Sequence, residues 1–140
     1  MNIVFQGLDD VLDSLEKITD TKKLEAAMGK ACALVERAAK QNAPKGSGEL
    51  RRSITSKVET QNDDVVGVVY TPLLYAPYVE YGTGLFAEEG GRKDVPWCYK
   101  DDEGNWITTS GMKPHPYMRP ALNENREQVK RILKEGLTND

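Results

Sequence analysis

The feature that most constrains the fold is a change in the spacing of apolar residues at Pro44. Before this proline, apolar residues recur every three or four positions, the spacing of one face of a helix. They are Leu24, Ala27, Met28, Ala31, Leu34, Val35 and Ala38. Because proline has no amide hydrogen and disfavours helical geometry at the residue before it, the helix is predicted to run from an N-cap at Asp20 or Thr21 to about Asn42.

Beyond a predicted tight loop at Gly46-Ser47-Gly48, the pattern changes to the alternation of a β-strand. Beyond Ser53, one set of positions (Ile54, Ser56, Val58) alternates with another (Thr55, Lys57, Glu59). Asn62-Asp63-Asp64 supplies turn residues, and residues 65–70 return as a Val-rich run before Pro72. Two strands this close in sequence predict an antiparallel hairpin.

The two ends of the chain carry further helical and strand patterns. Residues 3–5 predict a short strand, and residues 8–18 predict an amphipathic helix. A C-terminal helix is predicted from Pro116 or Met118 to Glu135, with Gly136 as its C-cap. Its apolar stripe is Leu122, Val129, Ile132 and Leu133. The chain of 140 residues is therefore predicted to be a single α+β domain, with a small antiparallel sheet packed against a long N-terminal helix and a C-terminal helix.

A long extended excursion at about residues 84–113 interrupts this plan. It follows a compact aromatic segment, Tyr75 to Tyr81, and contains a predicted second hairpin over residues 97–108. A stretch this long with few core residues is usually functional in a compact domain. Because aromatic residues are enriched at protein interfaces, we expect an interface here. The candidate interface residues are Phe86, Trp97, Tyr99 and Trp106.

Composition and motifs argue against other classes of function. The 19 basic and 22 acidic residues are interspersed and give a net charge of -3, so neither a general phosphate-binding surface nor specific nucleic-acid binding is expected. Cys32 and Cys98 lack the spacing of a metal site, and His115 lies in a rigid segment between two prolines. No segment has the length and apolarity of a membrane span, so a soluble protein made in the cytoplasm is expected. We predict no catalytic, metal or cofactor site.

Glu80 lies between two tyrosines in a segment expected to be half-buried. A buried carboxylate is costly unless it is paired. We therefore hypothesise an arginine partner, with Arg119 or Arg51 first in line.

Three blocks are informative when they are taken together. They are residues 43–54 (APKGSGELRRSI), residues 75–83 (YAPYVEYGT) and residues 113–122 (KPHPYMRPAL). Their order resembles the gene-product-ten family of Hong Kong-type lambdoid long-tailed phages, which are head-tail connector, tail-completion or minor tail proteins. The resemblance assigns structural junctions to Pro44, Gly48, Leu50, Glu80, Gly82, Pro116, Arg119 and Pro120.

The resemblance implies a non-enzymatic virion structural protein of a phage or prophage that joins head to tail or completes the tail. It implies a ring of about six copies, which requires a head-to-tail contact between subunits. The expected partners are further copies and neighbouring connector, tail-tube or tail-terminator proteins, at the head-tail junction or in the tail. The 84–113 loop and one helix face are predicted to form the ring contact. The alternatives are a small hydrolase or nuclease using acidic residues and His115, and a cytoplasmic binding module.

Overall fold

The computed structural model describes residues 2–5, 21–46, 48–62 and 64–138, and it has the predicted α+β composition. The elements in chain order are β1 (Asn2–Phe5), α1 (Thr21–Asn42), α2 (Glu49–Ser53), β2 (Thr55–Gln61), β3 (Asp64–Tyr70), α3 (Ala76–Tyr81), a 3-10 turn (Gly84–Phe86), β4 (Trp97–Lys100), β5 (Trp106–Thr109), α4 (Met118–Asn123) and α5 (Arg126–Thr138). The helix predicted over residues 8–18 lies outside the described residues.

Cα packing divides the chain into two compact units. The first, here called the helix-sheet unit, comprises the described residues of 1–72 and 117–140. The second, here called the aromatic unit, comprises residues 73–116. The single domain predicted from the sequence stays a prediction.

Helix α1 is the centre of the helix-sheet unit and ends at Asn42 as predicted. Seven of its residues form the buried stripe: Leu24, Ala27, Met28, Ala31, Cys32, Val35 and Ala39. The Cys32 thiol lies in this stripe and is buried. Leu34 and Ala38 were predicted to be in the stripe but are only half-buried. The buried face of the helix is instead turned toward the side that carries Cys32 and Ala39.

The sheet of the helix-sheet unit has the strand order β1-β3-β2, and both pairings are antiparallel. In the register, Val69 of the central strand lies between Ile3 and Ser56. Val68 and Val69 point to opposite faces, yet both are buried. The short N-terminal strand and the β2-β3 hairpin were predicted correctly.

A short helix that the sequence pattern did not reveal follows the proline junction. Gly48 adopts a left-handed conformation with φ of 79°, and α2 begins at the next residue. Leu50 of this helix is buried. The Ser53 hydroxyl lies 2.6 Å from the carbonyl oxygen of Leu50 and 2.7 Å from the hydroxyl of Thr71. These bonds join the end of α2 to the end of β3.

The C-terminal region is two helices, so the prediction of one continuous helix is wrong. The break lies at Asn125, whose side-chain amide donates a hydrogen bond to the carbonyl oxygen of Ala121 at 2.8 Å. Asparagine side chains compete in this way with the backbone ladder. Gly136 is also not a C-cap, because it lies inside α5. A Cβ atom there would lie 2.7 Å from the Cβ of Ala27, so glycine allows α5 to pack closely on α1.

Candidate interaction surface

Large exposed apolar side chains are confined to the aromatic unit within the described part of the chain. There are nine of them: Leu74, Tyr75, Tyr78, Tyr81, Leu85, Phe86, Tyr99, Trp106 and Met112. Of the apolar side chains in this unit only Ala76 is buried, whereas the helix-sheet unit contains all the other buried apolar residues. Concentrated apolar exposure of this kind marks interaction sites. The aromatic unit is therefore the candidate interaction surface.

The base of the aromatic unit is held by backbone hydrogen bonds between its two ends. The amide of His115 donates to the carbonyl oxygen of Val79 at 2.8 Å, and that of Thr83 donates to the carbonyl oxygen of Met112 at 2.9 Å. Gly84 adopts φ of 60°, and a Cβ atom at this position would collide with the carbonyl group of Ser110. Only glycine tolerates both this dihedral angle and this contact. The two ends of the excursion are thus held together by backbone hydrogen bonds.

Glu80 lies in α3 and its side chain is completely buried, more deeply than the sequence suggested. Complete burial of a carboxylate strengthens the requirement for compensating interactions. The pairing of Glu80 with Arg119 or Arg51 stays a prediction. Within the described residues, the Nε atom of Arg51 is buried and has no hydrogen-bond partner.

Strands β4 and β5 form the predicted second hairpin, and Asp101 fixes its turn. The Asp101 carboxylate accepts hydrogen bonds from the amides of Glu103 at 3.0 Å and Asn105 at 2.8 Å. Within the acidic run at residues 101–103, the Asp101 carboxylate therefore serves turn formation. Asp102, Glu103 and the residues beside them are held at the exposed tip of the hairpin.

The register of the hairpin divides the four predicted interface residues. Trp106 lies opposite Lys100, and Tyr99 lies opposite Ile107. Since neighbouring residues of a strand point to opposite faces, Trp106 is on one face, whereas Trp97 and Tyr99 are on the other. The face that carries Cys98, Lys100, Trp106 and Thr108 is entirely exposed. Phe86 lies outside the hairpin, in the 3-10 turn, so the four residues form no single patch.

Cations cover the rings of three of these residues. The guanidinium of Arg92 lies 4.9 Å from the Trp97 ring centroid. The ammonium groups of Lys100 and Lys113 lie 5.1 Å from the Trp106 ring and 5.9 Å from the Phe86 ring. Trp106 nevertheless remains 68% exposed. The interface role of Phe86, Trp97, Tyr99 and Trp106 stays a prediction.

Sequence analysis missed several exposed apolar residues. Leu74 is 91% exposed, Leu85 is 62% exposed, and Tyr78 is 58% exposed. Each lies in a short run beside proline or glycine, where no helical or alternating period assigns a side chain to one face. Their closeness to these turn residues is the only signal that the sequence offers.

The pKa shifts of four described residues have local causes. Arg92 forms two hydrogen bonds with Asp94, at 2.8 and 3.0 Å. These bonds raise the pKa of Arg92 and lower the pKa of Asp94. Burial raises the pKa of the Cys32 thiol to about 11. A hydrogen bond to Glu59 raises the pKa of Lys57.

Within the described residues, no group of three or more histidine, cysteine, aspartate or glutamate side chains is placed to hold a metal ion. Among the helices described, none combines the length and apolarity needed to cross a bilayer.

Comparison with known families gives a match over residues 7–82, to the family described as "Bacteriophage HK97-gp10, putative tail-component". This is more than half of the chain. The chain belongs to this family. The resemblance seen in the sequence blocks is thereby confirmed, and the family of phage tail components indicates a place in the virion. No curated protein and no solved structure matches the chain.

In this member of the HK97-gp10 family, the family match ends at Gly82. It covers the first sequence block and all of the second except Thr83, whereas the third block, at residues 113–122, lies beyond it. Most of the aromatic unit also lies beyond the match, including the β4-β5 hairpin. Five of the nine exposed apolar residues of this unit lie beyond the match: Leu85, Phe86, Tyr99, Trp106 and Met112.

Proposed function

We propose that this protein is a non-enzymatic structural component of a phage or prophage virion, which joins head to tail or completes the tail by assembling into a ring. Family membership supports a tail component. The observation that carries the assembly role is that all nine exposed large apolar residues of the described chain lie in one unit. Covering apolar surface contributes about 25 cal/mol per Å², so this unit gains stability when a protein partner covers it.

The ring contact is heterologous, so that the surface contributed by one subunit differs from the surface it meets on the next. Such head-to-tail contacts close into rings when the rotation between subunits is a simple fraction of a turn. The 84–113 loop contributes one half of this contact, and a helix face contributes the other. About six copies complete the ring, as the family resemblance implies.

The further partners are connector, tail-tube or tail-terminator proteins of the same phage. Tyrosine, tryptophan and methionine are enriched in interface cores, and these residue types occur in the exposed set. Exposed aromatic residues outside the ring contact are available for these proteins. The hydrolase or nuclease alternative would require titratable groups that converge on one pocket, whereas Asp101 is used by its own turn.

Light scattering over a range of protein concentrations tests this function, with the protein alone and with its neighbouring connector and tail proteins. We expect a closed oligomer, either alone or when those proteins are added. Trp106→Ala should weaken assembly, because its side chain is largely exposed and its removal leaves the core intact. Gln128→Ala, at an exposed position of α5, is the control. A monomer at every concentration, with or without the virion proteins, would refute the proposal.

A further inference from the structure

The net charge of the chain is concentrated in the aromatic unit. This unit has four basic residues (Arg92, Lys93, Lys100, Lys113) and seven acidic residues (Glu80, Glu88, Glu89, Asp94, Asp101, Asp102, Glu103). Its net charge of -3 equals that of the whole chain, so the rest of the sequence is balanced. Helix α1 has the opposite sign, with five basic and two acidic residues.

The solvent face of α1 combines basic side chains with small ones. Its exposed positions are Lys22, Ala26, Lys30, Ala33, Arg37 and Gln41, which follow the helical period. The two acidic residues of the helix have other partners: Glu25 accepts a hydrogen bond from the Thr60 hydroxyl at 2.6 Å, and Glu36 pairs with Lys40 at 3.6 Å.

Two cations on this face are available to a partner. Within the described residues, Lys30 and Arg37 form no ion pair. Ala33 lies between them, three residues from one and four from the other, so all three share one face of the helix. Its small side chain allows a flat ring to approach the helix between the two cations.

The aromatic unit presents the complementary chemistry. Its cations Arg92, Lys100 and Lys113 already lie over aromatic rings. Asp102 and Glu103 at the hairpin tip are exposed, and within the described part of the chain they form no ion pair. Trp106 follows the tip on the fully exposed hairpin face. The tip therefore combines two free carboxylates with an exposed indole.

We infer that the hairpin tip of one copy docks on the solvent face of α1 in the next copy. Asp102 and Glu103 pair with Lys30, and the Trp106 ring packs on Ala33 against the guanidinium of Arg37. Arginine stacks favourably on tryptophan, and opposite charges orient such contacts. The inference rests on the proposed ring assembly and names the two surfaces that form it. Because these surfaces differ, the contact is head-to-tail.

A charge-reversal pair of variants tests the contact. One variant carries Lys30→Glu and Arg37→Glu, and the other carries Asp102→Lys and Glu103→Lys. Each variant alone should assemble about 100-fold more weakly than the unmodified chain, because each brings like charges together. Mixed in equal amounts, the two should assemble again, since the normal tip of the first meets the normal helix face of the second, and the two reversed surfaces also attract.

The control variant carries Arg131→Glu and Lys134→Glu, at exposed positions of α5. It should assemble like the unmodified chain. Restored assembly in the mixture also shows that each reversed variant is folded, since a misfolded subunit could not be rescued by its partner.

The outcomes separate this inference from the proposed function. If the unmodified chain assembles and both reversed variants assemble equally well, the docking inference is wrong and ring assembly stands. If the unmodified chain never assembles, both are wrong. A Lys30→Glu and Arg37→Glu variant that assembles normally but loses binding to a short fluorescent DNA duplex would assign the α1 face to nucleic acid and overturn the inference.

Discussion

Substitution of Gly136 by alanine probes the close packing of α5 on α1. The added Cβ would lie 2.7 Å from the Cβ and 3.5 Å from the Cα of Ala27. Carbon atoms pack best at about 3.5 to 4.0 Å, and neither atom can turn away. Overpacking of this kind costs about 1 to 3 kcal/mol, whereas replacing glycine by alanine in a helix gains about 1 kcal/mol. We expect Gly136→Ala to lower the free energy of unfolding by about 1 kcal/mol.

Gly29→Ala is the matched control, because the same change is made in α1 where a Cβ atom has no heavy atom within 4 Å. It should raise the free energy of unfolding by about 1 kcal/mol through helix propensity alone. Urea denaturation followed by circular dichroism should therefore separate the two variants by about 2 kcal/mol. Adding Ala27→Gly to Gly136→Ala should recover part of the loss. Equal stabilisation by both alanine variants would show that α1 and α5 are not in this close contact.

Two further predictions concern buried ionisable groups. The pKa of Cys32 is raised to about 11 from 9.0. Between these pH values the folded protein keeps a proton that the unfolded chain loses, so the free energy of unfolding should fall as the pH rises from about 9 to about 11. Cys32→Ala should lack this fall in urea titrations, and equal pH slopes for the two proteins would contradict the reasoning. Double-mutant cycles that combine Glu80→Gln with Arg119→Met or Arg51→Met should show a coupling energy of about 1 to 3 kcal/mol for the true partner, and additive effects in both cycles would reject the pairing.

The sequence predicted α1 and the strands, but it did not predict α2 or the break between α4 and α5. Helix α1 has a sustained apolar period and is followed by a proline. Both its existence and its end could therefore be predicted from the sequence. Helix α2 is five residues long, which is too short to display a period. The break between α4 and α5 depends on the side-chain hydrogen bond of Asn125 to Ala121. Asparagine also occurs in helix interiors, so the sequence alone did not show that this side chain would bond to the backbone four residues earlier.

The candidate surface was predictable in location but not in arrangement. The hairpin was predicted from the sequence, and the aromatic residues of the excursion indicated an interface. The separation of Trp106 from Trp97 follows from the register, which Asp101 fixes through two backbone amides. Leu74 lies two residues after Pro72, and this closeness to a turn residue was the only sequence signal of its exposure.

The two hydrogen bonds at the base of the aromatic unit affect how this protein can diversify. Bonds from His115 to Val79 and from Thr83 to Met112 clamp the ends of the excursion together. Doubling the length of a flexible loop with fixed ends costs only about 0.6 kcal/mol in closure entropy. The segment between these hydrogen bonds can therefore be lengthened, shortened or replaced as one piece. A change of binding partner then requires no change in the helix-sheet unit.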